Sequence, residues 1–229
     1  ANVQDYSEER IGLPLFLCVD EEGGKVARVA KSGILDVEPF ASMAVIGSRR
    51  NVEEAYRVGT SIGQYLHELG FTVDFAPVAD VWTNPENQVV KDRSFGSDPN
   101  VVSEMASAVA KGLSENGVLA AYKHFPGHGS TAADTHAGYA YTDKTLEELY
   151  QNEFIPFQAG IEQGIPFIMA AHISLPQVTG DDVPASLSPG IIADLLRGEM
   201  GYQGIIITDA MNMGAIIQQY SSGEAAVKA

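Results

Sequence analysis

The chain has 229 residues, of which 45% are hydrophobic and 19% charged, and carries a formal net charge of −16. That length buries a sizeable core in a single domain over residues 1–229, and no apolar run approaches the roughly 20 residues of a membrane-spanning helix. The acidic balance excludes non-specific attraction to nucleic acid or anionic lipid and suits a neutral ligand, or an anionic one held by a few local cations.

The N-terminus, Ala-Asn-Val-Gln-Asp-Tyr, carries no signal-peptide pattern. Leu15 to Val19 is the first predicted strand. It holds the lone cysteine, Cys18, which is expected as a buried thiol; one cysteine forms no internal disulfide. Asn51-x-x-Glu54 has the spacing of a capping box, and Ala55, Val58, Ile62, Leu66 and Leu69 then form one helical stripe that stops at Gly70. Thr72 to Val78 is the second strand. Asn100 is the predicted cap of a helix with the stripe Val102, Met105, Val109 and Leu113. Val118 to Tyr122 is the third strand. Thr145-x-x-Glu148 opens a helix running to Gly164, with a bend expected at Pro156. Phe167 to Ala171 is the fourth strand, Ser188-Pro189 opens a further helix, and Gly204 to Thr208 is the fifth strand.

Strand and helix in alternation predict parallel βα units. Polar residues follow the strands: Asp20-Glu21-Glu22, then Asp80, Lys123-His124, His172 and Asp209. Chemistry at the carboxyl ends of parallel strands belongs to (β/α)8 barrels and doubly wound sheets alike. No G-x-G-x-x-G follows a strand, which weighs against a dinucleotide fold. Five strands are visible where a closed barrel needs eight, so the chain is read as an α/β TIM-barrel-type domain incomplete at both ends.

The richest stretch is K-H-F-P-G-H-G-S-T-A-A-D-T-H, residues 123–136. In Asp134-x-His136 a carboxylate can orient an imidazole and favour its charged form, which makes His136 a candidate proton shuttle. Asp209 at a strand end can be a nucleophile at an acetal carbon or simply a helix cap; position alone leaves both open. In D-E-E-G-G-K-V-A-R, residues 20–28, Asp20 can accept bonds from a polyol and Arg28 can donate to one, while Glu21 reads as a solvated turn residue. Alone, Arg93 reads as a surface residue. His67, in an amphipathic helix, reads as an ordinary surface histidine. His172 is either structural or site-lining. His124 and His128 have metal-ligand spacing on a helix, but Pro126, Gly127 and Gly129 argue against a helix there.

Four blocks, D-E-E-G-G-K-V-A-R (20–28), K-D-R-S-F-G (91–96), the 123–136 stretch and I-T-D-A-M-N-M-G-A (207–215), resemble family 3 glycoside hydrolases, specifically the bacterial β-N-acetylglucosaminidase branch. The resemblance covers essentially the whole chain. Lys25 stands where arginine is usual, and Thr208-Asp209-Ala210 replaces the commoner Ser-Asp-Asp. The resemblance implies a retaining two-step hydrolysis without cofactor or metal. Asp209 would be the nucleophile, and His136 the acid and then the base, supported by Asp134. Asp20, Arg28, Arg93, Lys123 and His124 would hold the sugar. It also implies cis peptides at Lys123-His124 and Phe125-Pro126, and a moving loop at about 127–144. The family's first two strands and its last would lie outside the chain, and self-association would cover the exposed sheet edges.

Three functions follow from this reading: hydrolysis of terminal β-linked N-acetylglucosamine from muropeptides or chitooligosaccharides, with phosphate as a second conceivable acceptor; a metal-dependent hydrolase using His124, His128, His136 and Asp134; and a non-catalytic sugar-binding or assembly module. Cytoplasm and cell envelope both remain open as locations.

Overall fold

The computed structural model describes residues 3–33, 36–37, 39–131 and 139–229. Its strands are β1 (Cys18–Val19), β2 (Glu21–Gly23), β3 (Val26–Ala27), β4 (Val73–Asp74), β5 (Leu119–Phe125), β6 (Ala140–Tyr141), β7 (Phe167–Ala170), β8 (Ile173–Ser174) and β9 (Ile205–Thr208). The central sheet has the order β1-β4-β5-β7-β9 and is parallel throughout. All five strands predicted from the sequence are there, with shorter bounds at most ends.

Alternation along the strands sorts the side chains to two faces. Ala120, Tyr122 and Ile168 join the large core under the helices. Val73, Ala121 and Phe167, with Leu119 and Ile207 beside them, make a smaller cluster on the opposite face. The helices α1 (Val3–Ile11), α2 (Met43–Arg49), α3 (Val52–Glu68), α4 (Pro99–Glu115), α5 (Leu146–Gln151) and α6 (Phe154–Glu162) connect the strands or flank them. The apolar stripes of α3 and α4 bury Ala55, Val58, Ile62, Leu66, Val102, Met105, Val109 and Leu113, as their periodicity predicts.

Several local expectations are corrected. Cys18 is exposed, because β1 is an edge strand and the apolar residues leading into it, Leu13, Leu15 and Phe16, are exposed as well. The second strand is only Val73–Asp74; beyond it the chain passes through a cis Ala76–Pro77 peptide and makes an isolated bridge from Val78 to Lys123. Asp98, not Asn100, caps α4: its carboxylate accepts the Asn100 N–H at 3.1 Å, with Pro99 in the first turn where no N–H is needed. The 145–164 helix is broken rather than bent. Pro156 has no N–H to give to the Asn152 carbonyl four residues back, and its ring crowds that carbonyl. The chain answers by ending α5 at Gln151, bonding Ile155 N–H to Asn152 at 3.2 Å, and restarting as α6.

The caps at Asn51 and Thr145 are present. Thr145 and Glu148 close a full capping box, whereas Asn51 accepts from Glu54 N–H while the Glu54 carboxylate turns to Arg49. The Ser188-Pro189 segment leads into a helix of π-type winding, Gly190–Glu199. His67 is exposed, as expected.

Two glycines are required by geometry. Gly24 turns the β2–β3 hairpin with φ of +53°, and a Cβ there would lie 2.7 Å from Ser42 Cα. Gly59 lets α3 approach α4 so closely that a Cβ would lie 2.1 Å from the Val109 carbonyl oxygen. Gly59→Ala is therefore expected to destabilise the fold by at least about 1–3 kcal/mol through overpacking, measured as a lowered urea midpoint; an unchanged midpoint would show that the helices separate freely.

Candidate active site

Because the sheet is parallel, the polar residues that follow each strand gather along one edge. Lys123 and His124 lie within the last turns of β5, where the register shifts between Lys123 and Phe125. The expected cis peptides at Lys123-His124 and Phe125-Pro126 are present. Lys123 enters a cluster of acids directly, and His124 touches the same cluster through Arg93.

Glu22 is the centre of that cluster. Its carboxylate takes Arg93 in a fork, Nε to Oε2 at 2.8 Å and Nη2 to Oε1 at 2.7 Å, and takes Lys123 Nζ at 2.6 Å. Lys123 Nζ also donates to Asp20 Oδ1 at 2.7 Å. Glu22 and Lys123 are buried. Burial alone would raise the Glu22 pKa, but the Lys123 charge and the Arg93 bonds outweigh it and hold the group down at about 2. Burial works against a charged Lys123, and Glu22 and Asp20 overcome it, so the ammonium is held more firmly than in water.

Asp80 clamps the next segment. Its Oδ1 accepts the backbone N–H of His124 at 3.1 Å and of His128 at 2.6 Å, and its Oδ2 faces His124 Nδ1 at 2.7 Å. His124 Nε2 lies 3.2 Å from Arg93 Nη2. A guanidinium only donates, so Nε2 is the accepting nitrogen and Nδ1 gives its hydrogen to Asp80. Burial opposes ionisation of Asp80, yet His124 and the His128 N–H hold it below the usual carboxylate range. The His128 ring is buried against Thr131, and burial pushes its pKa down. Asn87 braces the same loop, donating to the carbonyls of His128 at 2.8 Å and Thr131 at 3.0 Å.

Asp209 ends β9, half-buried, with its Oδ1 accepting the Ala210 N–H at 2.7 Å. Burial disfavours its ionised form. The His124 imidazole, the Ala210 N–H, His172 and the Lys123 ammonium outweigh that and hold its carboxyl below the usual range. Arg28 stands at the rim, with 69% of its side chain exposed and Nε 3.6 Å from Asp20 Oδ2. The structure thus brings Asp20, Arg93, Lys123 and His124 into one network with Asp209 facing it, and leaves Arg28 in loose contact. Asp134 and His136 lie outside the described residues.

Sequence reasoning missed three buried acids. Glu21 is not a solvated turn residue: it is fully buried, taking the N–H groups of Val29 at 2.7 Å and Ala30 at 3.0 Å and the Tyr65 hydroxyl at 2.7 Å. Glu22 was given no role, although a lysine inside a buried strand needs a buried anion, and the acid run after the first strand was available to supply it. Asp74, within β4, is fully buried; Oδ1 accepts Glu21 N–H at 2.9 Å and Oδ2 has no partner among the described residues. Burial raises its pKa well above the ordinary value. Among the described residues no three His, Cys, Asp or Glu side chains are grouped to hold a metal, and His124 has both ring nitrogens engaged.

Acids and cations gathered at the carboxyl ends of parallel βα strands are the arrangement of a TIM-barrel-type enzyme site. The chain belongs to glycosyl hydrolase family 3, whose N-terminal domain matches residues 1–229. Beta-hexosaminidase A of Pseudoalteromonas piscicida is 37% identical over 94% of this chain and 38% of its own length. Beta-hexosaminidase LpqI of Mycobacterium tuberculosis is 38% identical over 94% of this chain and 56% of its own. The structure of a glycoside hydrolase family 3 beta-N-acetylglucosaminidase from Paenibacillus sp. FPU-7 superposes with a TM-score of 0.92 at 37% identity, covering 99% of this chain and 42% of that one. The chain therefore spans 38% and 56% of the two curated relatives' length. The TIM-barrel-type fold expected from the sequence is borne out, with five parallel strands in its central sheet among the described residues.

The raised pKa of Asp74 has a signed consequence. Unfolded, this carboxyl ionises at about pH 4. Folded, it keeps its proton to higher pH, so the folded state binds more protons and loses stability as pH rises through that window. Asp74→Asn mimics the neutral acid and cannot ionise. Its stability relative to the parent is expected to increase between pH 4 and pH 7 in urea denaturation; a constant difference at both pH values would mean Asp74 is ionised in the fold.

Proposed function

We propose that this chain carries the catalytic machinery of a retaining exo-β-N-acetylglucosaminidase acting on terminal β-linked N-acetylglucosamine, in muropeptides or chitooligosaccharides. The observation that carries the reading is an ionised Asp209 at a strand end, facing a buried cluster of hydroxyl-binding cations and acids in a family 3 framework. The similarity to proteins named beta-hexosaminidase and beta-N-acetylglucosaminidase supports the choice of sugar.

In this reading Asp20 accepts hydroxyl hydrogens from the sugar, and Lys123, Arg93 and Arg28 donate to its oxygens. His124 is held rigid by Asp80 at one nitrogen and Arg93 at the other, and shapes the floor of the subsite. Asp209 attacks the anomeric carbon as the glycosidic C–O bond breaks, and His136 gives its proton to the departing oxygen. The base so formed takes a proton from water, whose oxygen displaces Asp209 and releases the sugar with the starting configuration. The roles of His136 and of Asp134 as its support rest on the sequence motif.

The assay is release of 4-nitrophenol from its β-N-acetylglucosaminide. Asp209→Ala is expected to lower turnover by about 10⁴-fold or more, since no other carboxylate stands at that position. Near-parent activity would overturn the assignment. His136→Ala is expected to slow substrates with poor leaving groups far more than activated aryl glycosides, which hardly need an acid. Equal losses would remove His136 from the acid role.

A further inference from the structure

Two buried residues outside the sugar-facing set converge on the backbone beside Asp209. His172 follows β7 and is 1% exposed; Ser186 lies in a 3-10 turn, Ala185–Leu187, and is 3% exposed. His172 Nε2 lies 3.1 Å from the Ala210 carbonyl oxygen, and Nδ1 lies 2.7 Å from Ser186 Oγ. A carbonyl only accepts, so the hydrogen is on Nε2. Nδ1 is then the bare nitrogen of the neutral ring, and the Ser186 hydroxyl donates to it.

Both ends of this chain of bonds are anchored. Ser186 N–H donates to the Ala171 carbonyl at 3.1 Å, immediately before His172. At the other end, the Ala210 N–H holds Asp209 Oδ1 at 2.7 Å, and Asp209 N–H itself bonds the Ala170 carbonyl at 2.9 Å. Residue 210 is therefore gripped from two sides, by the imidazole at its carbonyl and by the carboxylate at its N–H.

We propose that Ser186 and His172 form a positioning relay that aims the Asp209 carboxylate: Ser186 holds the Nδ1 side of the His172 ring, His172 fixes residue 210, and residue 210 holds Oδ1 so that Oδ2 is presented to the substrate. This rests on Asp209 being the nucleophile, but the geometry of the relay does not. His172 is a positioning residue. Rigid support of this kind matters because a misplacement of about 1 Å can cost on the order of 10²-fold in rate.

The test has one arm that needs no turnover. In ¹⁵N NMR of the 229-residue chain, His172 is expected as a single Nε2–H tautomer, and Ser186→Ala is expected to keep that tautomer while shifting the Nδ1 resonance through loss of its hydrogen bond. A proton on Nδ1 in the parent would overturn the relay. The Asp209 ¹³Cγ titration is expected to move upward in His172→Ala and by less in Ser186→Ala; an unmoved titration would also overturn it. The kinetic arm uses an activated aryl N-acetylglucosaminide. His172→Ala is expected to lose about 10²-fold in kcat with KM nearly unchanged, and His172→Gln, whose amide can still donate to Ala210, to recover most of it. Parent-like kcat in His172→Ala beside an inactive Asp209→Ala overturns the relay. An active Asp209→Ala overturns the nucleophile assignment instead.

Discussion

A lysine in the middle of a buried strand is tolerated only beside a buried anion, and the rest of the site is arranged around that requirement. Lys123 lies 2.6 Å from Glu22 and 2.7 Å from Asp20, and the same Glu22 carboxylate takes Arg93 through two further bonds. Moving such charges out of water costs several kcal/mol each, and the cost is offset only when geometry is tight and the remaining lone pairs are used. Glu22 meets both conditions. The β2–β3 hairpin that carries it, the loop that carries Arg93 and the end of β5 thus have fixed relative positions. In the proposed function a sugar would meet Lys123 and Arg93 already aligned, with Arg28 at the rim left to order on binding.

A second clamp extends the order along the loop after β5. Asp80 receives two backbone N–H groups and one imidazole, and Asn87 ties down the carbonyls of His128 and Thr131. A loop rich in glycine would otherwise sample many conformations at a large entropic cost. Buried acceptors and donors at its start hold a short 3-10 turn, His128–Ser130, in place.

Two carboxyls of the same sheet have their pKa values pushed in opposite directions. Asp209 has cationic and donor neighbours enough to overcome its burial and stays ionised. Asp74 is wholly buried, its accepting oxygen has one N–H partner, and Glu21 and Glu22 lie nearby, so its pKa is driven up. Residue type does not decide the matter; the balance of desolvation against local charge does.

Much of this was legible in the chain. The five strands, the stripes of α3 and α4 and the cap at Thr145 follow from apolar spacing and hydrogen-bonding side chains, which act over a few residues and need no knowledge of the fold. Asp20, Lys123, His124 and Asp209 were legible because they stand at strand ends, where a parallel sheet collects them on one edge. Other features were decided only in three dimensions. Cys18 is exposed because its strand is an edge. Glu21, Glu22 and Asp74 are buried with partners from distant parts of the chain: Tyr65 meets Glu21, Arg93 and Lys123 meet Glu22, and the Glu21 N–H meets Asp74. His172 acquires its partners from Ser186 and Ala210, which sequence separates and the turn of the sheet unites. Local periodicity is written in the sequence because it depends on near neighbours, whereas the charge state and orientation of a buried polar group depend on which distant groups the fold brings within about 3 Å of it.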